Sequence, residues 1–202
     1  MNPASDIAFT PTVKALQTQR GSRAGYARME EQGGFRTQVS DDLVAFLATI
    51  DTAYLATANA AGQPYAQHRG GPKGFIRVIG PKTLGFADYA GNRQYVTTGN
   101  LAKNDKAFLF LMDYAHARRV KIWGRARVTD DAGLIEKLMP EGYRARPEQA
   151  ILFEVEAWDI NCPQHIPQKL DAAEVAEAVG RLESRIAVLE AENKALRAKV
   201  GG

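Results

Sequence analysis

The C-terminal stretch carries the pattern that leaves the chain least freedom. From Val175 onward its apolar residues recur with strict 4-3 spacing. Val175, Leu182, Leu189 and Leu196 form one set; Val179, Ile186, Asn193 and Val200 form the other. They fit positions d and a of a heptad, and β-branched residues at a with leucine at d favour two parallel strands. Asn193 at a single a position is a register device, since a buried amide is tolerated where it meets its partner amide. Arg185 at g would face Glu190 at e of another chain, and Glu192 would face Arg197. Asp171 with Glu174 three residues on resembles a capping box at the helix start. Gly180 costs about 1 kcal/mol in a helix interior, but it falls at b and leaves the seam whole. At ~1.5 Å per residue such a zipper spans roughly 40 Å. An amphipathic helix packed on its own domain needs neither the asparagine nor the charge pairing. A basic-zipper DNA reading fails, because the fifteen residues before Val175 hold one basic residue, Lys169, and Pro163 and Pro167 interrupt any helix there. Residues 170–202 therefore read as a coiled-coil dimerisation helix.

The rest divides into an N-terminal arm, 1–39, and a strand-rich body, 40–169. In the arm, Phe9 to Val13 can start a short helix with Pro11 in its first turn. The polar, glycine-containing stretch Gln17 to Thr37 reads as a partly ordered wrap-around segment. Ser40 is a good N-cap, Asp41 and Asp42 suit the helix dipole, and Leu43, Phe46, Leu47 and Ile50 make one buried stripe. Thr52 to Asn59 and Tyr65 to Arg69 flank a turn and read as a hairpin; Phe75 to Ile79 and Thr83 to Asp88 read as a second. A helix is expected from Arg93 to about Lys103. Phe108 to Met112 is an apolar run expected to be covered on both faces. Arg119 to Val128 and Ile151 to Trp158 are further strands, separated by a helix over Asp130 to Leu138. Six or more short strands joined by tight turns favour a small barrel, because closure removes exposed sheet edges. The fold class is mainly β with peripheral helices.

Composition narrows the function classes. The chain has 202 residues and a net charge of +3, from 26 basic and 23 acidic side chains. That balance admits anionic ligands but lacks the concentrated basic face of a nucleic-acid binder. No apolar run is long enough for a membrane span, and the N-terminal residues do not read as a secretory signal. The single cysteine, Cys162, fits a reduced setting, so a cytoplasmic location is expected.

The chemistry-bearing residues are few. His68, His116 and His165 form no ligand pair with metal spacing, and Cys162 with His165 supplies two ligands where zinc needs three or four. Cys162 reads as a small buried thiol, with a nucleophile paired to His165 as the alternative. G-x-S-x-G, G-x-G-x-x-G and P-loop signatures are absent. A group of arginines and glycines remains. His68-Arg69-Gly70-Gly71-Pro72 ends a strand with glycines that allow close backbone approach. Gly91-Asn92-Arg93 falls at the expected helix start, where backbone N–H groups and the guanidinium suit a phosphate. Arg119, Lys121, Arg125 and Arg127 share one face of their strand, which reads equally as a binding stripe or a solvated outer face.

These segments, in order, carry a family resemblance. Leu84 to Arg93, then Asn100 to Asn104, Phe108 to Phe110, and Arg118 to Ala126 resemble the pyridoxamine 5'-phosphate oxidase-like FMN-binding split-barrel proteins. The resemblance covers roughly Ser40 to Pro167. It implies a six-stranded split barrel in a homodimer, with FMN in clefts between subunits. It implies that Gly91-Asn92-Arg93 holds the FMN phosphate, and that the candidate cofactor set is His68, Arg69, Gly70, Gly71, Arg77, Tyr89, Gly91, Asn92, Arg93, Arg118 and Lys121. The arginine-rich C-terminal segment that pyridoxamine phosphate oxidases use for substrate is replaced here by Cys162 to Pro167 and the zipper, so the vitamin substrate does not carry over. The implied activity is flavin-mediated electron or hydride transfer on a small substrate, with a nicotinamide nucleotide as reductant. A non-catalytic FMN-binding or sensing dimer, and a split barrel using deazaflavin or haem, stay open beside it.

Overall fold

The computed structural model describes residues 2–160 and 163–200. Cys162 and the pairing considered for it lie outside the described residues. The chain forms two units, each considered by itself. The first takes in the chain up to Asp113 together with Arg118–Pro163; the second joins Tyr114–Ala117 to the chain from Gln164 onward.

In the first unit a 3-10 turn, Ala4–Ile7, precedes α1 (Pro11–Gln19), α2 (Arg23–Glu31) and α3 (Asp41–Thr49). The arm is thus more helical than its polar sequence suggests. Thr10 Oγ1 caps α1 by accepting from Val13 N at 3.3 Å. Ser40 Oγ accepts from Leu43 N at 3.4 Å and starts α3 as expected. The strands are β1 (Thr52–Ala58), β2 (Pro64–Gly70), β3 (Arg77–Gly80), β4 (Thr83–Tyr89), β5 (Lys106–Asp113), β6 (Arg118–Thr129) and β7 (Pro147–Ile160). Short α4 (Val96–Leu101) lies between β4 and β5, and α5 (Ala132–Leu138) between β6 and β7. With these helices the class is mixed α and β rather than mainly β.

Among the described residues all strand pairings are antiparallel, in one seven-stranded sheet ordered β2-β1-β5-β6-β7-β4-β3. Six strands are implied by the resemblance; the seventh is β3, four residues held on β4. It begins at Arg77 because Phe75 and Ile76 turn into the core, 1% and 2% exposed, instead of extending the strand. Inward positions alternate along the strands, with Ala53 and Leu55, Leu84 and Phe86, Leu109 and Leu111, Val120 and Ile122, and Ile151, Phe153 and Val155. The stripe Leu43, Phe46, Leu47 and Ile50 of α3 packs into the same cluster. β5 is less enclosed than its apolar run suggests. Phe108 and Phe110 point outward and are half-buried, stacked on each other at 6.3 Å, with Phe108 also 5.1 Å from Trp123.

The β6–β7 ladder depends on Gly124. The ladder steps by one residue between Trp123 and Gly124, leaving Glu156 bulged on β7. A Cβ on Gly124 would stand 2.0 Å from the Glu154 carbonyl oxygen. Gly124→Ala should therefore cost about 3 kcal/mol, at the upper end for overpacking, and should lower the urea midpoint without abolishing the fold.

The arm is fastened by aromatic contacts and one ion cluster. Phe35 stacks on Trp123 at 5.2 Å, and Phe9 meets Phe35 edge-on at 5.3 Å. Glu30, 9% exposed, accepts from Arg23, from Ser5 Oγ at 3.2 Å, and pairs with Lys14 at 3.6 Å. The Arg23 hydrogen bond is the main reason its carboxyl lies below the ordinary carboxylate range, against the opposing effect of burial. A lowered folded-state value stabilises above the unfolded pKa, about 4.3, and that contribution fades as pH falls through the folded value. Melting temperature should drop below about pH 4 more steeply in the native protein than in Glu30→Gln; parallel pH profiles would contradict this role.

In the second unit, α6 (Ala172–Val200) is a 29-residue helix with no buried residue. Asp171 Oδ1 caps it, accepting from Ala173 N at 2.8 Å. At its root Lys169 N donates to Tyr114 O at 3.2 Å, and Lys169 Nζ sits 4.2 Å from the Tyr114 ring centre.

Candidate functional site

The sheet has two ends, β2 on one side and the β4–β3 hairpin on the other. They meet through side chains. Two-residue alternation on β2 puts Gln67 and Arg69 on one face and His68 on the opposite one. On β4, Asp88 falls in phase with Leu84 and Phe86, so an acid occupies a core-facing position and requires a partner. Arg69 Nη1 donates to Asp88 Oδ1, and Arg69 Nη2 donates to Gln67 Oε1 at 3.0 Å. Gln149, opposite Asp88 on β7, donates through Nε2 to Asp88 Oδ2 at 2.8 Å and to Thr98 Oγ1 at 2.9 Å. Thr97 Oγ1 donates to Gln67 Oε1 at 2.8 Å, and Asn100 Nδ2 to Thr57 Oγ1 at 3.0 Å. These bonds tie α4 to the strands on either side of the opening.

A cleft of about 220 Å³ lies over this network. Its mouth is the loop after β4. Asn92 Oδ1 accepts from Gln94 N at 3.2 Å, and Arg93 and Tyr95 take left-handed φ values of 58° and 53°. The left-handed backbone at Tyr95 stops α4 from reaching back, so the helix starts at Val96. Arg93 therefore stands in the loop ahead of the helix rather than at the expected helix start. Its guanidinium is 63% exposed, with Glu148 Oε1 at 3.8 Å.

Two residues of the cleft lining each have a buried polar atom with no protein partner among the described residues: Arg69 Nε and Tyr89 Oη. Such atoms are costly unless a ligand or water meets them. Burial holds the Arg69 pKa below the usual guanidinium value, with the Asp88 carboxylate acting against that shift. Burial raises the Tyr89 phenol, Tyr143 adds to the rise, and Arg77 opposes it. Tyr89 thus keeps its proton and offers a donor.

The cleft brings together Arg69, Tyr89, Gly91, Asn92 and Arg93 from the sequence-predicted set. The others lie elsewhere. His68 meets Tyr54 edge-on at 5.7 Å on the outer face. Gly71 leaves room for Phe75, whose Cβ would stand 2.8 Å from an added Cβ, and Gly70 closes on the His68 ring. Arg77 donates to Met139 O at 3.4 Å. Arg118 pairs with Asp113 at 2.7 Å, and Lys121 with Asp159 at 3.1 Å. Arg125, from the same stripe, is held by Asp105 and Glu156, so the acids beside this strand neutralise much of it. The reading of residues missed Gln67, Asp88, Thr97, Thr98 and Gln149. Asp88 had a usable signal in its core-facing phase; Gln149 had none, because only strand pairing places it there. Among the described residues no three His, Cys, Asp or Glu side chains are placed to hold a metal ion. Among the described residues no helix is long and apolar enough to cross a membrane.

Residues 39–162, more than half of the chain, match the sequence profile of the family described as pyridoxamine 5'-phosphate oxidase. The chain belongs to the pyridoxamine 5'-phosphate oxidase family. Among solved structures it is similar to HupZ of Group A Streptococcus, at 17% identity and a TM-score of 0.51, covering 65% of this chain and 99% of that one. A point variant of the same protein gives 18%, 0.50, 61% and 99%. An FMN-binding protein from Syntrophomonas wolfei subsp. wolfei is 8% identical, with a TM-score of 0.47, 72% of this chain and 97% of that chain covered. At such identities the likeness to HupZ is one of fold. No curated protein matches the chain.

In this family member the ion pair across the opening should be structural. Arg69 and Asp88 are 12% and 11% exposed at their side chains. Arg69→Met or Asp88→Leu alone strands a buried charge and should cost about 3–5 kcal/mol in urea unfolding. The double variant should lose less than the two losses added together; strict additivity would mean the pair is not coupled.

Proposed function

We propose that this protein binds FMN in the cleft beside Arg93 and acts as a flavin-dependent oxidoreductase on a small substrate. The observation that carries this reading is the exposed Arg93 guanidinium, held in a left-handed loop on the lining of a cleft that it shares with Arg69 and Tyr89. Membership of the pyridoxamine 5'-phosphate oxidase family supports the choice of flavin.

The residues present fit the group. Arg93 is exposed, cationic and held in a preset loop, which suits a phosphate. Thr97 and Thr98 put hydroxyls on the same lining, and Tyr89 supplies a proton that its environment keeps in place. Arg69 is fixed on the same lining by Asp88 and Gln67. The bound flavin supplies hydride and electron transfer. The protein's part is to hold it, orient it and set the charge around it. Arg69 does the last, as a positive group held rigidly where negative charge on a ligand would be stabilised.

The lining offers Tyr89 and Tyr95 as its aromatic side chains, too few to sandwich a flavin ring. A second copy would complete the walls. The outward aromatics Tyr54, Phe108 and Phe110 on β1 and β5 are the surface through which a homodimer would pack, with His68 beside them. A nicotinamide nucleotide is the reductant this reading expects.

Arg93→Ala should weaken FMN binding by about 1.5–3 kcal/mol, roughly 10- to 150-fold, in a fluorescence titration; an unchanged Kd would remove Arg93 from the site. Anaerobic bleaching of the yellow protein by NADH or NADPH, followed by turnover with an acceptor, separates an enzyme from a passive FMN binder. Absorption spectra separate flavin from deazaflavin or haem.

A further inference from the structure

We propose that α6 pairs with α6 of a second copy as a parallel, in-register two-stranded coil, with Asn193 fixing the register. This does not depend on what the cleft binds.

The helix has no buried side chain, and its whole a/d seam is open to solvent. Val175, Val179, Leu182, Ile186, Leu189 and Leu196 are between 41% and 64% exposed. So long a run of large apolar side chains in one line is an unmet surface, not scattered exposure. Helices in proteins draw most of their stability from packing an amphipathic face, so a 29-residue helix with an open seam needs a partner.

The charges choose the partner and its direction. The helix makes its own ion pair between Arg181 and Glu177, at c and f, away from the seam. Among the described residues Arg185, Glu190, Glu192 and Arg197 make no ion pair within the chain. They are the g and e positions flanking the seam. Ile186, Leu189 and Asn193 share one groove on the helix, edged by Glu190 and Arg197. In a parallel pair, Arg185 meets Glu190 of the other helix and Glu192 meets Arg197, on both sides. A second copy of this sequence therefore neutralises both edges.

Asn193 decides orientation. In parallel pairing an a residue faces an a residue, so the two amides meet and bond. In antiparallel pairing a faces d, and Asn193 would lie against leucine with its amide unmet, at a cost. A one-heptad slip in the parallel arrangement would likewise set Asn193 against Ile186 or Val200.

The test uses the full chain carrying Cys162→Ser, so that one introduced thiol reports the geometry. With Val179→Cys, near one end of the helix, oxidised glutathione should convert most of the protein to a covalent dimer of twice 22.1 kDa on a non-reducing gel. Adding Leu182→Lys and Leu189→Lys should cut the cross-linked fraction at least tenfold while far-UV circular dichroism of the body persists. Failure of Val179→Cys to cross-link would overturn the proposal. So would cross-linking that occurs when Val179→Cys and Leu196→Cys chains are mixed but not within either alone, which marks antiparallel pairing. Survival of the cross-link in the lysine variant would also overturn it, because the contact would then arise outside the seam.

Discussion

The architecture rests on one ion pair. The sheet runs β2-β1-β5-β6-β7-β4-β3, so β2 and β4 are separated in the ladder by four strands, yet Arg69 of β2 reaches Asp88 of β4. Backbone hydrogen bonds carry the curl of the sheet most of the way round; side chains complete it. A fully laddered barrel would have no opening at this point. Here the ends stay apart, and the side chains of Gln67, Arg69, Asp88 and Gln149 line the opening. The barrel is split because its last contact is electrostatic, and the split is where the cleft lies.

The same choice explains the electrostatics. A buried arginine facing a buried aspartate is weak evidence for stability, but it fixes a guanidinium in one orientation. Gln67 and Gln149 hold the two partners from opposite strands, and Thr97 and Thr98 of α4 bond to those amides. With Nη1 and Nη2 committed, Arg69 holds its charge in one place on the cleft lining. Around this centre the rest is support. Gly124 lets β6 and β7 approach closely, and the Phe9–Phe35–Trp123 stack fastens the arm.

Periodicity made most of the elements legible. Ser40 with Leu43, Phe46 and Leu47 announced α3, and both hairpins followed from their turns. The arm's sequence suggests less order than it has, because α2 has no buried apolar residue in its Arg23–Glu31 span to give a stripe. Phe75 and Ile76 look like strand residues; burial in the core, which propensity does not encode, takes them out of β3. At the site, Gly91-Asn92-Arg93 was visible as a local run. The short helix beyond it was placed too early, because nothing in the sequence marks Tyr95 as left-handed. His68 and Arg69 are neighbours in sequence and opposites in space, as alternation requires. Gln149 could be found through strand pairing alone.

If FMN binds as proposed, its phosphate and its flavin ring both lie at the split. A crystal structure of the protein with FMN tests it most directly. The account predicts phosphate density within hydrogen-bonding reach of the Arg93 guanidinium, about 3 Å, with the flavin moiety against Arg69 and Tyr89. Density for FMN at another place on the molecule, with the loop at residues 91–95 turned to solvent, would contradict it.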